Sequence, residues 1–272
     1  MKKYESTGET LTLPDGTVLH RIRALRDIRP ANGGMVFSGT PGGWLECGDN
    51  LPQHGDAWVA DDACVYGAAQ VSGSALVSGH AKVFGRACVF GSAVVEADAQ
   101  VYGHARVSGS ARITDAARVY GSALVGADAV VTGVARVYGS SRVSDEAVVC
   151  NARVFGRASV IGAAGVGGCS HVYGSAMVAE LATVYGDARI FGWAVVSGHA
   201  RVHGKARVSG RARIGGEARI LGSAEIAGTA KVLGAQYISD GTLAGDGTGD
   251  AVPATAADGS DGADGAGGCV LV

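Results

Sequence analysis

A six-residue unit repeats from Val59 to Leu243, and it restricts the possible folds more than any other feature of the chain. Each copy reads aliphatic, variable, glycine, variable, alanine, variable, as in Val65-Tyr66-Gly67-Ala68-Ala69-Gln70. A period of six fits neither a helix, at about 3.6 residues per turn, nor the two-residue alternation of a plain strand. It fits a short strand followed by a corner, and stacked copies of such a unit form a solenoid.

The composition of each position predicts which side chains face the core. The first position is Val or Ile, and the fifth is almost always Ala. Because an alanine and the next aliphatic residue are two apart, Ala117 and Val119 should point inward, whereas Arg118 and Tyr120 should point outward. The third position is mostly Gly, which indicates a corner with unusual backbone angles, including φ > 0.

Aromatic residues at the second position provide an independent measure of the coil. They recur every eighteen residues, with one step of seventeen across the short copy Val149-Cys150-Asn151-Ala152-Arg153. Three hexapeptides therefore form one triangular coil of eighteen residues, and the chain should contain about ten coils. The short copy is interpreted as a deletion at a corner that leaves the register intact.

The spacing of aliphatic and small residues resembles the hexapeptide repeat of left-handed parallel β-helices. Glycine lies one position later here, so the resemblance concerns the architecture rather than the consensus sequence. It implies an all-β parallel β-helix with a left-handed coil, although the general rule for parallel crossovers favours the right hand.

We divide the chain into a β cap at residues 1–52, the repeat region at residues 53–243 and a tail at residues 244–272. In the cap, Glu9 to Ala24 around Pro14-Asp15-Gly16 has the pattern of a hairpin. Thr40-Pro41-Gly42-Gly43-Trp44 is interpreted as a turn, with Trp44 and Trp58 covering the end of the solenoid. The tail is rich in Gly, Asp and Ala, which predicts disorder. Its C-a-a-X ending, Cys269-Val270-Leu271-Val272, is interpreted as a chance match.

The N-terminal region carries a more specific resemblance. Leu19-His20-Arg21-Ile22-Arg23-Ala24-Leu25-Arg26-Asp27, Gly42-Gly43-Trp44-Leu45-Glu46 and Gly55-Asp56-Ala57-Trp58-Val59 resemble the YdcK-like solenoid family of bacteria and their phages. The resemblance extends over about residues 1–240. Members of this family carry a transferase label, which rests on analogy of fold and implies little about chemistry.

Histidine and cysteine positions predict no catalytic, cofactor-binding or metal-binding residues. Hexapeptide acyltransferases use an interface histidine and an inserted loop, whereas these repeats contain no insertion. His80 and Asp98 should stack at one corner, where a solvated contact is favoured over an acid–base pair. His199 and His203 need a third ligand to hold a metal. The absence of an apolar leader and of a membrane-spanning run predicts a cytoplasmic protein.

The best functional lead is an outward row of aromatic residues. Its members are Tyr66, Phe84, Tyr102, Tyr120, Tyr138, Phe155, Tyr173 and Phe191. Two residues before each lies an outward partner, and these partners are Cys64, Lys82, Gln100, Arg118, Arg136, Arg153, His171 and Arg189. The face formed by both rows is compatible with structural stacking, a protein interface, or nucleic acid or sugar binding. A second face should expose Leu76, Val94, Val130 and Val148, which argues for association side by side.

We therefore predict a non-enzymatic structural or interaction β-solenoid that self-associates through its outward faces or ends, with a homo-oligomer or another protein as partner. The alternative is a hexapeptide-repeat, acyltransferase-like enzyme. The near-neutral charge, −2 overall, disfavours nucleic acid as a partner, and no cofactor is expected.

Overall fold

The computed structural model describes residues 2–31 and 33–245. They form an all-β parallel β-solenoid with about 11 turns of about 18 residues, which confirms the fold that the repeat predicts. Pro41–Leu45, which precedes the repeat, also pairs in parallel with the repeat strands and extends the solenoid beyond the expected ten coils. The left-handed coil stays a prediction. The proposed tail from residue 246 onward, with its C-a-a-X ending, lies outside the described residues.

The described residues divide into two compact units, and the boundary lies between Ser140 and Ser141. The first unit begins with β1 (Tyr4–Thr12), β2 (Val18–Ala24), β3 (Pro41–Leu45) and a 3-10 turn at Gly48–Asn50. Its short strands are β4 (Trp58–Val59), β5 (Cys64–Val65), β6 (Gln70–Val71), β7 (Leu76–Val77), β8 (Lys82–Val83), β9 (Cys88–Val89), β10 (Val94–Val95), β11 (Gln100–Val101), β12 (Arg106–Val107), β13 (Arg112–Ile113), β14 (Arg118–Val119), β15 (Leu124–Val125), β16 (Val130–Thr132) and β17 (Arg136–Val137).

The second unit contains short strands throughout. They are β18 (Arg142–Val143), β19 (Val148–Cys150), β20 (Arg153–Val154), β21 (Ser159–Val160), β22 (Gly165–Val166), β23 (His171–Val172), β24 (Met177–Val178), β25 (Thr183–Val184), β26 (Arg189–Ile190), β27 (Val195–Val196), β28 (Arg201–Val202), β29 (Arg207–Val208), β30 (Arg213–Ile214), β31 (Arg219–Ile220), β32 (Glu225–Gly228), β33 (Lys231–Val232), β34 (Tyr237–Ile238) and β35 (Thr242–Gly245).

Each short strand pairs in parallel with the strand three places later in the chain, so each unit has three sheets. In the first unit the orders are β1-β2-β3-β5-β8-β11-β14-β17, β4-β7-β10-β13-β16 and β6-β9-β12-β15. In the second unit they are β20-β23-β26-β29-β32-β35, β19-β22-β25-β28-β31-β34 and β18-β21-β24-β27-β30-β33. We call these, in that order, the aromatic sheet, the second sheet and the third sheet of each unit.

The core is a column of the first-position and fifth-position side chains. Ala117 and Val119 are fully buried, whereas Arg118 between them is exposed, as predicted. A buried Val contributes roughly 1.5–3 kcal/mol, and one coil alone buries too few such residues to fold. Stacking of coils therefore supplies the core.

The corners adopt the left-handed conformation that the third position predicts. Gly109 has φ 66°, and its stacked neighbour Ala127 has φ 53°. A Cβ at Gly109 would lie 2.7 Å from the Ala127 nitrogen, so glycine is favoured both by its backbone angle and by the close approach of the next coil. A carboxylate at this corner position can also accept a hydrogen bond from the next coil. The Asp61 carboxylate, for example, accepts one from the Gly79 N–H at 2.9 Å.

The short copy removes one corner residue without disturbing the pairing. Arg142 pairs with Ser159, seventeen positions later, whereas Arg153 beyond the deletion pairs with His171, eighteen positions later. Asn151 occupies the corner with φ 59°. The prediction of a corner deletion that preserves register is confirmed.

The N-terminal hairpin forms as predicted, but the turn predicted at Thr40 to Trp44 is wrong. Pro41–Leu45 is strand β3, antiparallel to β2 and parallel to β5. A Cβ at Gly42 would lie 2.6 Å from the Trp58 ring, and one at Gly43 would lie 2.5 Å from the Ala63 carbonyl oxygen. The glycine pair therefore permits close packing of a strand rather than a change of direction.

The two tryptophans expected to cover the solenoid end behave differently. Trp58 is 1% exposed, in keeping with a covering role. Trp44 instead lies at the outer surface, half-buried, with the Arg21 guanidinium 5.1 Å from its ring centroid. Asn50 is fully buried, and its amide donates to the Gly67 and Ala69 carbonyls at 3.0 and 2.9 Å. These bonds satisfy carbonyls that would otherwise be left open at this end.

Candidate interaction face

The predicted aromatic row forms a continuous ladder on the aromatic sheet of the first unit. The ring centroids of Tyr66, Phe84, Tyr102, Tyr120 and Tyr138 lie 5.1, 4.8, 4.8 and 4.8 Å apart in succession. The planes of successive rings differ by 5° or less. The prediction that residues eighteen apart stack with outward aromatic side chains is therefore confirmed for this unit.

The second unit has a shorter ladder of the same geometry. Phe155, Tyr173 and Phe191 have centroid separations of 4.9 and 5.0 Å, with interplanar angles of 2° and 5°. His171 meets Phe155 edge-on, with centroids 6.4 Å apart and planes at 75°. The imidazole thus lies against the side of the ladder rather than within it.

In-register parallel pairing explains the stacking. Each ring follows a strand at the same position, so neighbouring rings are displaced by the strand spacing of ~4.8 Å, close to a ring-stacking distance. All eight rings are half-buried, because each covers the faces of its neighbours. Burial raises the pKa of the Tyr66 and Tyr102 hydroxyls above the ordinary tyrosine value. The ladders consequently present ring edges rather than ring faces to solvent.

The outward partner row lies on the same face as each ladder. In the first unit, Lys82, Gln100, Arg118 and Arg136 are neighbours on successive strands. In the second unit, Arg153, His171 and Arg189 occupy the equivalent positions. The face therefore combines aromatic edges with guanidinium groups, as the sequence predicts. The prediction that Cys64 belongs to the outward row is wrong, because its side chain is buried.

The prediction of an exposed apolar stripe on the second sheet is wrong for Leu76 and Val94. Leu76 and Val94 are each only 4% exposed, whereas Val130 and Val148 are half-buried. The Ala31 N–H donates to the Ser74 carbonyl at 2.8 Å, which holds the segment around Ala31 beside the coil that carries Leu76. The apolar surface of Leu76 and Val94 is thus already removed from water.

The histidines considered for chemistry show no assembled catalytic or metal site in residues 2–31 and 33–245. His80 and His199 are exposed, and the structure of the described residues shows no hydrogen bond or ion pair between the side chains of His80 and Asp98. His203 stacks on Tyr185 with centroids 4.8 Å apart. The same residues contain no cluster of three or more metal-ligating side chains, and none of their helices could span a membrane.

Sequence reasoning missed a groove on the aromatic sheet of the second unit. It has a volume of about 350 Å³ and is lined by Arg153, Cys169, His171, Asp187, Arg189, Lys205 and Arg207. The eighteen-residue spacing places Arg153, His171, Arg189 and Arg207 in one column, so the repeat register contained the signal. Trp193, 65% exposed with Arg211 5.9 Å from its ring, was likewise overlooked.

Comparison with known proteins identifies the repeat. Residues 99–115 match the family model described as YdcK Beta solenoid repeat. This segment contains β11, β12 and β13, one strand from each sheet of the first unit. A search of curated proteins finds no match. The resemblance to YdcK-like solenoids stated from the sequence is thus confirmed at the level of the repeat.

Proposed function

We propose that this chain is a non-enzymatic structural or interaction β-solenoid that self-associates through its aromatic face. The observation that supports this most directly is the first-unit ladder, where five stacked rings present a regular row of edges beside Arg118 and Arg136. Tyrosine and arginine are enriched among residues that dominate protein interfaces. A second copy of the chain offers the same rigid surface, so an isologous contact is available.

Ring stacking disfavours nucleic acid on this face. Binding of single strands uses aromatic faces on which bases stack. Here the faces of Phe84, Tyr102 and Tyr120 are occupied by neighbouring rings at 4.8 to 5.1 Å. Only the edges remain accessible, and these suit contacts with side chains of another protein.

The acyltransferase-like alternative lacks the inserted loop that it needs. From β4 to β35, no connection between successive strands exceeds four residues. The described repeats therefore provide no long loop that could cover a substrate beside a histidine. This supports the proposal of an interaction role.

Light scattering coupled to size exclusion tests the proposal. We expect the unmodified chain at high micromolar concentration to have a mass well above the 27.1 kDa of one chain. Arg118→Glu with Arg136→Glu should return it to the monomer mass, because both side chains are exposed and the reversal leaves the rings stacked. Arg201→Glu with Arg219→Glu is the matched control, since these neighbouring arginines lie on another sheet.

Three results would oppose the proposal. The first is a clean monomer for the unmodified chain at high micromolar concentration. The second is an equal loss of mass in the two charge-reversed variants, which would indicate a general effect of net charge. The third is an unchanged assembly after Arg118→Glu with Arg136→Glu while the folded state is preserved.

A further inference from the structure

The groove on the aromatic sheet of the second unit concentrates positive charge. Arg153, His171, Arg189 and Arg207 occupy the same position on β20, β23, β26 and β29. At ~4.8 Å per strand, the four groups span about 14 Å. Like charges directly opposite each other on neighbouring strands are destabilising, so the pairing of Arg189 with Arg207 has an electrostatic cost in the free protein.

The groove contains little to offset that charge. Lys205 adds a fifth basic group, and Asp187 is the one carboxylate in the lining. Among the described residues, no carboxylate lies within ion-pair distance of Arg153, Arg189, Arg207 or Lys205. The four ion pairs of the described chain all involve arginines of the first unit, for example Arg112 with Glu96 at 2.8 Å.

The pKa of His171 reflects the positive potential of these basic groups. Burial lowers the pKa of its imidazole below 6.5, and the neighbouring Arg153 and Arg189 lower it further, whereas Asp187 opposes them. The imidazole is half-buried between the two guanidinium-bearing strands. A bound anion would therefore meet a row of exposed cationic donors beside the half-buried imidazole.

We propose that this groove binds a linear oligophosphate, meaning a chain of three or more phosphoryl groups. Guanidinium groups match phosphate oxygens in pairs, and a row of them suits an extended polyanion better than a single compact anion. A nucleic acid fits less well, because the adjacent rings of Phe155, Tyr173 and Phe191 stack on each other at 4.9 and 5.0 Å. Their faces are thus unavailable to bases.

Calorimetric titration of the full chain with inorganic tripolyphosphate tests this site. Binding should be measurable at about 50 mM salt and should weaken steeply with added salt, since it is driven by charge. Orthophosphate should bind far more weakly. Adenosine triphosphate should bind comparably to tripolyphosphate if the phosphoryl chain is the recognised part.

Matched variants separate the groove from net charge. Arg189→Gln with Arg207→Gln should weaken tripolyphosphate binding by ~10-fold or more, because two charge-assisted contacts are lost. Arg201→Gln with Arg219→Gln removes the same charge from a neighbouring pair on the second sheet and should change binding less than ~2-fold. Asp187→Asn should tighten binding, a gain that misfolding would not produce.

A spectroscopic readout adds a test of position. The pKa of His171, followed by NMR, should rise when tripolyphosphate binds, because the anion stabilises the imidazolium against Arg153 and Arg189. Absence of binding, equal weakening in both arginine pairs, or an unmoved His171 titration would overturn the proposal. Tighter binding of oligothymidylate than of tripolyphosphate would also overturn it and favour a nucleic-acid site.

Discussion

Lys3 shows how a single side chain closes the N-terminal end of the solenoid. It is fully buried, and its ammonium group donates to the Ala57 and His54 carbonyls at 3.0 and 3.4 Å. Burial chiefly, and Arg26 in addition, lowers its pKa from 10.5 to about 8, while Asp56 acts in the opposite direction. The residue thus satisfies open carbonyls at the expense of a desolvated charge.

Lys3 should make stability depend on alkaline pH. Between pH 8 and 10.5 the unfolded chain keeps the proton that the folded chain has released, so stability rises with pH through this window. We expect the difference in unfolding free energy between the unmodified protein and Lys3→Met to grow by ~1–3 kcal/mol across it. Denaturant unfolding at several pH values measures this difference. Lys82→Met, at an exposed lysine, is the control, and a flat difference for Lys3→Met would contradict the prediction.

Within a single coil, the corner and the strand demand opposite properties of a small residue. Ala127 stands at a corner with φ 53°, where a Cβ is strained. Ala123 is fully buried in the core, where its methyl group fills space. Alanine therefore lowers the stability of the fold at position 127 and raises it at position 123.

Glycine substitution should separate these two effects. Ala127→Gly should raise stability by up to ~1 kcal/mol, because relief of the left-handed strain exceeds the added freedom of the unfolded chain. Ala123→Gly should lower stability by about 1 kcal/mol or more, since it removes buried methyl surface and adds that freedom. Thermal unfolding of both variants provides the comparison. A change in the same direction for both would refute the assignment of Ala127 to a strained corner.

For the whole molecule, the question is whether any surface performs chemistry. The exposed histidines His80 and His199 are the residues that an acyltransferase-like function would use. Neither lies beside a loop longer than four residues in the described repeats. The proposed association and the proposed anion binding, by contrast, would use side chains that the stacked register brings into rows.

Replacement of these histidines should therefore have no functional effect. We expect His80→Ala and His199→Ala to leave the assembly mass and the release of thiol from an acyl thioester at their unmodified levels. Light scattering and a thiol-detection assay measure the two quantities. A loss of thioester turnover greater than ~10-fold with folding preserved would restore the enzymatic alternative, because a general base contributes typically 10²–10⁴-fold.

The repeat by itself determined the solenoid, its eighteen-residue coil and the division into inward and outward side chains. Tyr102 stacks on Tyr120, and Ala127 and Gly109 share a left-handed corner, because parallel pairing carries each residue onto the one eighteen positions away. That rule needs only local periodicity. It also located the corner deletion within the short copy Val149-Cys150-Asn151-Ala152-Arg153, where the register continues with one residue fewer.

Only the tertiary structure decided the secondary structure outside the repeat and the burial of outward side chains that lie close to non-repeat segments. The sequence predicts a turn at Gly42 and Gly43, yet both lie in a strand, where Trp58 and the Ala63 carbonyl pack too closely for a larger residue. Leu76 is predicted to be exposed, yet it is buried, and the Ala31 N–H binds the Ser74 carbonyl of the same coil. Such contacts join segments without a common period, so their energies depend on packing between distant parts of the chain, which no local pattern encodes.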